Sequence, residues 1–221
     1  MSDDESVRDL LRRAARPESL PGDLAVDDVP ADPLDLLRRW LAEAVDGGVV
    51  QPQAMVLSTT SVADDGAPST RVVLLKDLDD SLWFSTSTLS PKGRDVAADP
   101  RVALTFAWSS QGRQVRVTGA AHAGDRAEAE EDFRHRHPET RVAAMVERQS
   151  APVPPRDVVD RRTDELRAEL DADPDLVPDD WRVFHVVPTS VEFWQGSTGR
   201  DQARVRYDRD GDGWRRGQLW P

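Results

Sequence analysis

From Ala54 onward the chain falls into short β-forming runs divided by turn residues, with few stretches long enough to serve as crossover helices. Parallel neighbours need a crossover connection of about a dozen residues or more, usually a helix, whereas antiparallel neighbours need only a tight turn. The pattern predicts a mainly β, antiparallel fold with peripheral helices, a closed or partly closed barrel. The predicted strands cover residues 54–60, 69–77, 82–87, 102–108, 114–121, 182–187, 190–194, 203–207 and 214–219. Each is bounded by Gly, Pro, Asp or Ser or by a charged loop.

The helices announce themselves by their caps. Asp32-Pro33 supplies an N-cap and a first-turn proline, and Leu34, Leu37, Trp40, Leu41 and Ala44 follow at helical spacing, so residues 33–45 read as an amphipathic helix. Ser90-Pro91 opens a short helix to Ala98, and residues 125–136 and 138–147 form two more. Residues 157–170 carry a thin apolar stripe of Val159, Leu166 and Leu170. Residues 1–28 are rich in Asp, Arg and Pro and read as a mobile segment, with a short helix over 7–15, ahead of one domain spanning 29–221.

Composition removes several classes of function. A net charge of −12 disfavours nucleic acid, whose phosphates require a basic face. With no cysteine there is no disulfide, thiol nucleophile or thiolate metal site. No apolar run reaches the roughly 18 residues of a membrane span, and the acidic N-terminus lacks a signal-peptide core, so a cytoplasmic location is expected. His122, His135, His137 and His185 show no metal-site spacing, and no Walker loop, GxGxxG turn or nucleophile elbow is present. Seven Trp against one Tyr suggests rigid packing anchors.

Candidate binding residues begin with Arg71 and Lys76, which bracket Val72-Val73-Leu74-Leu75. This reads as a strand buried along most of its length, and a desolvated cation at each end needs an anion. Carboxylates of this acid-rich chain would answer that need, and so would a phosphorylated ligand lying across the sheet. Ser85, Thr86, Lys92, Gln114, Gln149, Ser150, Arg200 and Arg204 complete a scattered phosphate-friendly set at strand ends and loops.

The order of these groups resembles the FMN-dependent pyridoxine/pyridoxamine 5′-phosphate oxidases. The resemblance rests on Val29-Pro-Ala-Asp-Pro-Leu34 through Arg39-Trp40-Leu41, on Arg71 to Lys76, on Gly112-Arg-Gln-Val115, and on Val191-Glu-Phe-Trp-Gln-Gly196. It implies an FMN-binding split β-barrel that forms a homodimer with two flavin sites at the interface. The implied reaction converts pyridoxine or pyridoxamine 5′-phosphate to pyridoxal 5′-phosphate, with O2 reduced to hydrogen peroxide. Arg71, Val73, Leu74, Lys76, Ser85, Thr86, Lys92 and Gln114 are the implied FMN-binding residues. Gln149, Ser150, Trp194 and Arg204 are implied to close over the flavin or to come from the partner subunit. Lys76, Arg136, Thr140, Arg200 and Gln202 are implied on the substrate side, with Arg200 over the reacting ring. Four features depart from the family pattern: Asp132 in place of a phosphate-binding Tyr, Gln202 in place of a His, Pro91 in place of an Arg, and Ala15-Arg16-Pro17-Glu18 where a lid motif is usual. Two further functions fit the same resemblance: an FMN-dependent oxidase acting on another cyclic metabolite of phenazine-type biosynthesis, and a flavin-binding protein without turnover.

Overall fold

A computed structural model of the chain describes residues 7–12, 24–146, 148–196 and 202–220. A short helix, α1 (Val7–Arg12), precedes α2 (Pro33–Asp46). Helix α2 starts where the sequence says it must: the Asp32 carboxylate accepts the Leu34 N–H at 2.7 Å and Pro33 occupies the first turn. It stops at Gly47, whose N–H returns to the Glu43 carbonyl at 2.9 Å, before Gly48 turns the chain at a φ of 69°. Its buried face carries Leu34, Leu36, Leu37, Trp40 and Ala44.

The strands are β1 (Ala54–Thr60), β2 (Pro68–Leu74), β3 (Leu82–Ser87), β4 (Arg101–Trp108), β5 (Arg113–Ala123), β6 (Trp181–Gln195), β7 (Ala203–Asp210) and β8 (Gly213–Gln218). Helix α3 (Pro91–Ala98) follows β3, and α4 (Arg126–Arg134), α5 (Pro138–Val146) and α6 (Arg156–Ala172) lie between β5 and β6. The strand order is β2-β1-β4-β5-β6-β7-β8, with β3 also paired to β6, and every pairing is antiparallel. A ring closes because the chain leaving β2 bonds to β3: the Lys76 N–H donates to the Trp83 carbonyl at 2.8 Å, and the Trp83 N–H to the Asp77 carbonyl at 3.0 Å. The predicted antiparallel split barrel is the observed fold.

Two expectations are corrected. The runs 182–187 and 190–194 are one 15-residue strand, β6. The apparent break at Pro188 is a β-bulge: Gly119 pairs with Pro188 and Thr118 with Ser190, leaving Thr189 as the extra residue. Gly119 is required there, since a Cβ would lie 2.2 Å from the Val187 carbonyl oxygen. The first half of β6 pairs with β3 and the second with β7, so the sheet branches along this strand. The second correction concerns β2, which is not buried along its length. Val73 points into the core, but Val72 is 65% exposed and Leu74 40%, because a strand presents alternate residues to opposite faces.

The main core lies between α2 and the sheet. Trp40 meets Phe193 edge-on at 5.1 Å and Trp108 at 6.5 Å, and Phe193 meets Tyr207 at 5.9 Å. The polar ends of these rings are satisfied: Trp108 Nε1–H donates to the Pro52 carbonyl at 2.9 Å and the Tyr207 hydroxyl to that of Pro30 at 2.9 Å. Leu24 and Val29 are buried in the same core, so the packed chain reaches back at least to Leu24. Smaller clusters around Phe133 and Trp181, and around Val142, Leu166 and Leu170, fasten the helices after β5. Among the described residues no helix is long and apolar enough to cross a membrane.

Trp40 is 2% exposed at the centre of the aromatic cluster, so Trp40→Ala is expected to lower unfolding free energy by about 3–5 kcal/mol in urea denaturation. Val50→Ala, at a site 88% exposed, is expected to stay within about 0.5 kcal/mol of the parent. A small loss at Trp40 would show that the core does not depend on it.

Candidate cofactor and substrate site

The residues singled out in the sequence gather into three groups. The first is built where β1, β2 and α3 meet. Arg71, opposite Leu57 in the β1–β2 register, donates from Nη1 to Thr59 Oγ1 at 2.7 Å and from Nη2 to Ser69 Oγ at 2.7 Å. Its Nη2 also lies 3.4 Å from Asp95 Oδ2. Asp95, 3% exposed on α3, accepts further bonds from Thr59 Oγ1 at 2.8 Å and from the Val62 N–H at 3.1 Å. A carboxylate of the chain thus answers the Arg71 cation.

Lys92 stands one turn earlier on α3 and is only 6% exposed. Burial, reinforced by the like charge of Arg71, pulls its ammonium pKa from the usual 10.5 down to about 8. Its Nζ donates to Gln149 Oε1, and among the described residues no carboxylate pairs with it. Ser90 caps α3 by accepting the Gly93 N–H at 3.1 Å, and its hydroxyl lies 3.3 Å from Thr86 Oγ1. Gly93 lets α3 press onto the end of β3, since a Cβ there would sit 2.4 Å from the Ser87 carbonyl oxygen. Ser85 Oγ is buried without a hydrogen-bond partner. Two cations against one carboxylate leave this corner net positive, which suits an anion. Val73 shares the inward face of β2 with Arg71, whereas Leu74 turns outward. Ser150 follows Gln149 at a φ of 67° and is exposed.

The second group is a row across three strands. Gln114 on β5 pairs with Trp194 on β6, which pairs with Arg204 on β7. Gln202 Oε1 accepts the Trp194 Nε1–H at 3.2 Å. Arg204 Nη1 lies 3.6 Å from Glu192 Oε1, while Arg204 Nε is buried without a partner.

The third group surrounds Asp132 on α4. Its Oδ1 lies 3.7 Å from Lys76 Nζ, and its Oδ2 accepts the Trp181 Nε1–H at 2.9 Å. Arg136 stacks over the Trp181 ring at 4.7 Å, with its Nε buried and unpartnered. The Thr140 hydroxyl donates to the His137 carbonyl at 2.7 Å. Arg200 lies outside the described residues. Sequence reasoning missed Asp95, Glu192 and Trp181, which hold Arg71, Arg204 and Arg136. Asp95 lies three residues after Lys92, one helical turn away, but nothing marks it among the chain's 41 acidic residues.

Comparison with known proteins places this geometry. Residues 41–169 match the family described as pyridoxamine 5′-phosphate oxidase. Residues 181–221 match the pyridoxine 5′-phosphate oxidase C-terminal dimerisation region. The chain is 39% identical over 215 residues to a pyridoxine/pyridoxamine 5′-phosphate oxidase of Rubrobacter xylanophilus, covering 97% of each chain. A relative of the same name from Cupriavidus taiwanensis is 41% identical over 202 residues, covering 90% of this chain and 94% of its own. Among solved structures, PhzG from Burkholderia lata in complex with tetrahydrophenazine-1-carboxylic acid superposes with a TM-score of 0.84 at 30% identity, over 92% of this chain and all of that one. An FMN-binding protein from Nostoc punctiforme shares the fold, with a TM-score of 0.67 at 18% identity. The buried Lys92, with no carboxylate partner among the described residues, is a donor of the kind a flavin phosphate takes. On sequence, fold and donor chemistry together, the chain belongs to the pyridoxamine 5′-phosphate oxidase family and is an FMN-dependent oxidoreductase.

Proposed function

We propose that the protein is a homodimeric oxidase that takes two electrons from a small cyclic substrate and delivers them to O2, releasing hydrogen peroxide. The first substrate class is pyridoxine and pyridoxamine 5′-phosphate, yielding pyridoxal 5′-phosphate, in line with the names of the Rubrobacter and Cupriavidus relatives. The observation that carries the flavoenzyme reading is Lys92: a buried ammonium with a depressed pKa and an amide oxygen where a carboxylate would be expected.

In this reading Lys92 and Arg71 neutralise the FMN phosphate, and Ser85 and Thr86 donate hydroxyl hydrogen bonds to it. Asp95 holds the Arg71 guanidinium in place. Gln114 addresses the polar edge of the flavin ring, with Trp194 and Arg204 beside it in the same row. Bound FMN supplies the two-electron chemistry. Lys76 and Arg136 anchor the anionic end of the substrate; Arg200, to which the family resemblance gives a role over the substrate ring, lies outside the described residues. A bare flavin carrier has no need of this second cationic corner, which weighs against a non-catalytic role. The dimer draws support from the matched dimerisation region and from the outward apolar stripe of Val56, Val72 and Leu74.

A second substrate class, a ring carboxylate, is favoured by one observation. Asp132 stands beside Lys76, and the Burkholderia lata relative holds a ring carboxylic acid.

The purified protein is expected to be yellow, to carry equimolar FMN, and to release peroxide with pyridoxine 5′-phosphate in air at a turnover on the order of 0.1 s⁻¹ or faster. A colourless protein that takes up no added FMN would remove the oxidase reading. A yellow protein whose flavin stays oxidised would leave the ring-carboxylate class.

Lys92→Ala is expected to weaken FMN binding by about 1.5–3 kcal/mol, measured by flavin fluorescence quenching. The pH dependence has a definite sign. A phosphate bound at Lys92 restores its pKa toward 10.5, so binding takes up a proton above pH 8. FMN affinity therefore falls as pH rises above 8, by up to about tenfold per unit, and flattens in Lys92→Ala. Flavin-free protein behaves in the opposite sense: with the folded-state pKa at about 8 and the unfolded value near 10.5, this group adds stability as pH rises between them.

A further inference from the structure

His185 sits on β6 directly opposite Trp83 of β3 on one side and His122 of β5 on the other. Both of its ring nitrogens meet a partner: Nε2 lies 3.0 Å from Glu128 Oε2, and Nδ1 lies 3.4 Å from Ser81 Oγ. Glu128 stands in the first turn of α4, and the same Oε2 accepts the Asp125 N–H at 2.9 Å in the capping box of that helix. Gly124 makes room for the meeting, since a Cβ there would lie 1.9 Å from Glu128 Oε2 and 2.8 Å from His185 Nε2. The imidazole thus joins β6 to the N-terminus of α4, the helix that carries Asp132 and Phe133.

Ser81 decides where the protons lie. Its hydroxyl is 2.9 Å from Asp79 Oδ1, which also accepts the Ser81 N–H at 2.8 Å and the Trp83 Nε1–H at 3.0 Å. Partial burial opposes the charge of Asp79, but these bonds outweigh it and hold the carboxyl down at about 2. Asp79 is therefore a pure acceptor and takes the one hydroxyl proton of Ser81. Toward His185 the Ser81 oxygen then offers only lone pairs, as does Glu128, so both contacts are satisfied when the ring carries both protons. The charged ring also lies 4.2 Å from the Trp83 ring centroid, an attractive placement for a cation. A neutral ring gives up one N–H, and with it either the bond to Ser81 or the bond to Glu128. Ser81 is no nucleophile, because it is 4% exposed and its proton is given to Asp79. The other charged or titratable groups around the ring are Asp125 on α4, Asp80 in the turn, the exposed His122, and Arg38 on α2, which donates to the carbonyls of Leu78 and Asp79.

We infer that His185 is a pH-sensitive latch: charged, it ties the first turn of α4 to β6 and to the turn before β3, and on losing its proton it loosens that end of the helix. The charged ring is bonded on both sides only in the folded chain. Its contribution to stability is therefore present at mildly acidic pH and lost as the pH rises through the range in which imidazoles discharge. Asp132 follows Glu128 by one helical turn, so the latch connects solution pH to the seating of the helix beside Lys76. The device belongs to the fold and does not depend on the oxidase reading.

The test compares the full-length wild type, His185→Gln and His185→Arg, each as purified, by urea unfolding and amide hydrogen exchange between pH 5.5 and pH 8.5. Glutamine keeps a side-chain N–H without a charge, and arginine keeps a charge at every pH in the range. The wild-type advantage over His185→Gln in the unfolding equilibrium is expected to shrink about tenfold from pH 5.5 to pH 8.5. The ratio of His185→Arg to His185→Gln is expected to stay constant over the same range. Exchange in residues 125–134 should be faster in His185→Gln than in the wild type at pH 5.5, with a smaller difference at pH 8.5 and none in residues 103–107 at either pH. A wild-type advantage that does not change with pH, the absence of any advantage, an arginine variant that loses stability with pH as the wild type does, or an exchange difference spread evenly over the chain would each overturn the inference. If the arginine variant does not fold, the comparison of wild type with His185→Gln decides alone.

Discussion

The Asp95 carboxylate is the contact on which the cofactor end of the molecule depends. Its two oxygens reach Thr59 on β1, the Val62 N–H in the turn and Arg71 on β2, all from a helix that begins only after β3. This staple fixes α3 against the β1–β2 hairpin. Lys92, on the first turn of that helix, is only 6% exposed, and its charge sits close enough to Arg71 for burial and the like charge together to depress its pKa. Two like charges held together in a half-dry site are unfavourable until an anion arrives. In the proposed reading, the strain of the flavin-free state becomes affinity for a phosphate.

Strand β6 imposes the second constraint. Trp181 at its start lies under Arg136, and Trp194 near its end lies in the row with Gln114 and Arg204. Thirteen residue steps of extended chain span roughly 40 Å even before the bulge at Pro188 is allowed for, which is longer than FMN. The two groups therefore stand towards opposite ends of one strand, and the case for a second copy of the chain rests on the matched dimerisation region.

Much of this was legible in the sequence, and the failures have physical causes. The caps of α2 and α3 are short-range signals, and Asp32 and Ser90 perform as their residue types predict. The strand alternation survived because period two is local. Pro188 misled because proline usually ends a strand, and only the partner Gly119 shows that a bulge absorbs it. The burial of β2 was overestimated because Val72-Val73-Leu74-Leu75 reads as apolar on both faces, and the outward face is uncovered in one chain. Asp95, Glu192 and Trp181 were invisible for another reason: their roles come from cross-strand and helix–sheet contacts that no spacing encodes.

The two cations that bracket the start of the barrel show why the competing explanations of the sequence were not exclusive. Arg71 and Lys76 both pair with carboxylates of the chain, Asp95 and Asp132. The pairings differ in what they leave over. At Arg71 the carboxylate is consumed by three donors of the protein, and the adjacent Lys92 restores a net positive charge. At Lys76 the carboxylate is tied to a single indole, the ion pair is loose, and the second cation is Arg136 on the far side of that ring. One carboxylate per cation pair serves both places. In the first it positions a guanidinium beside a second cation, and in the second it holds an ammonium beside a buried indole.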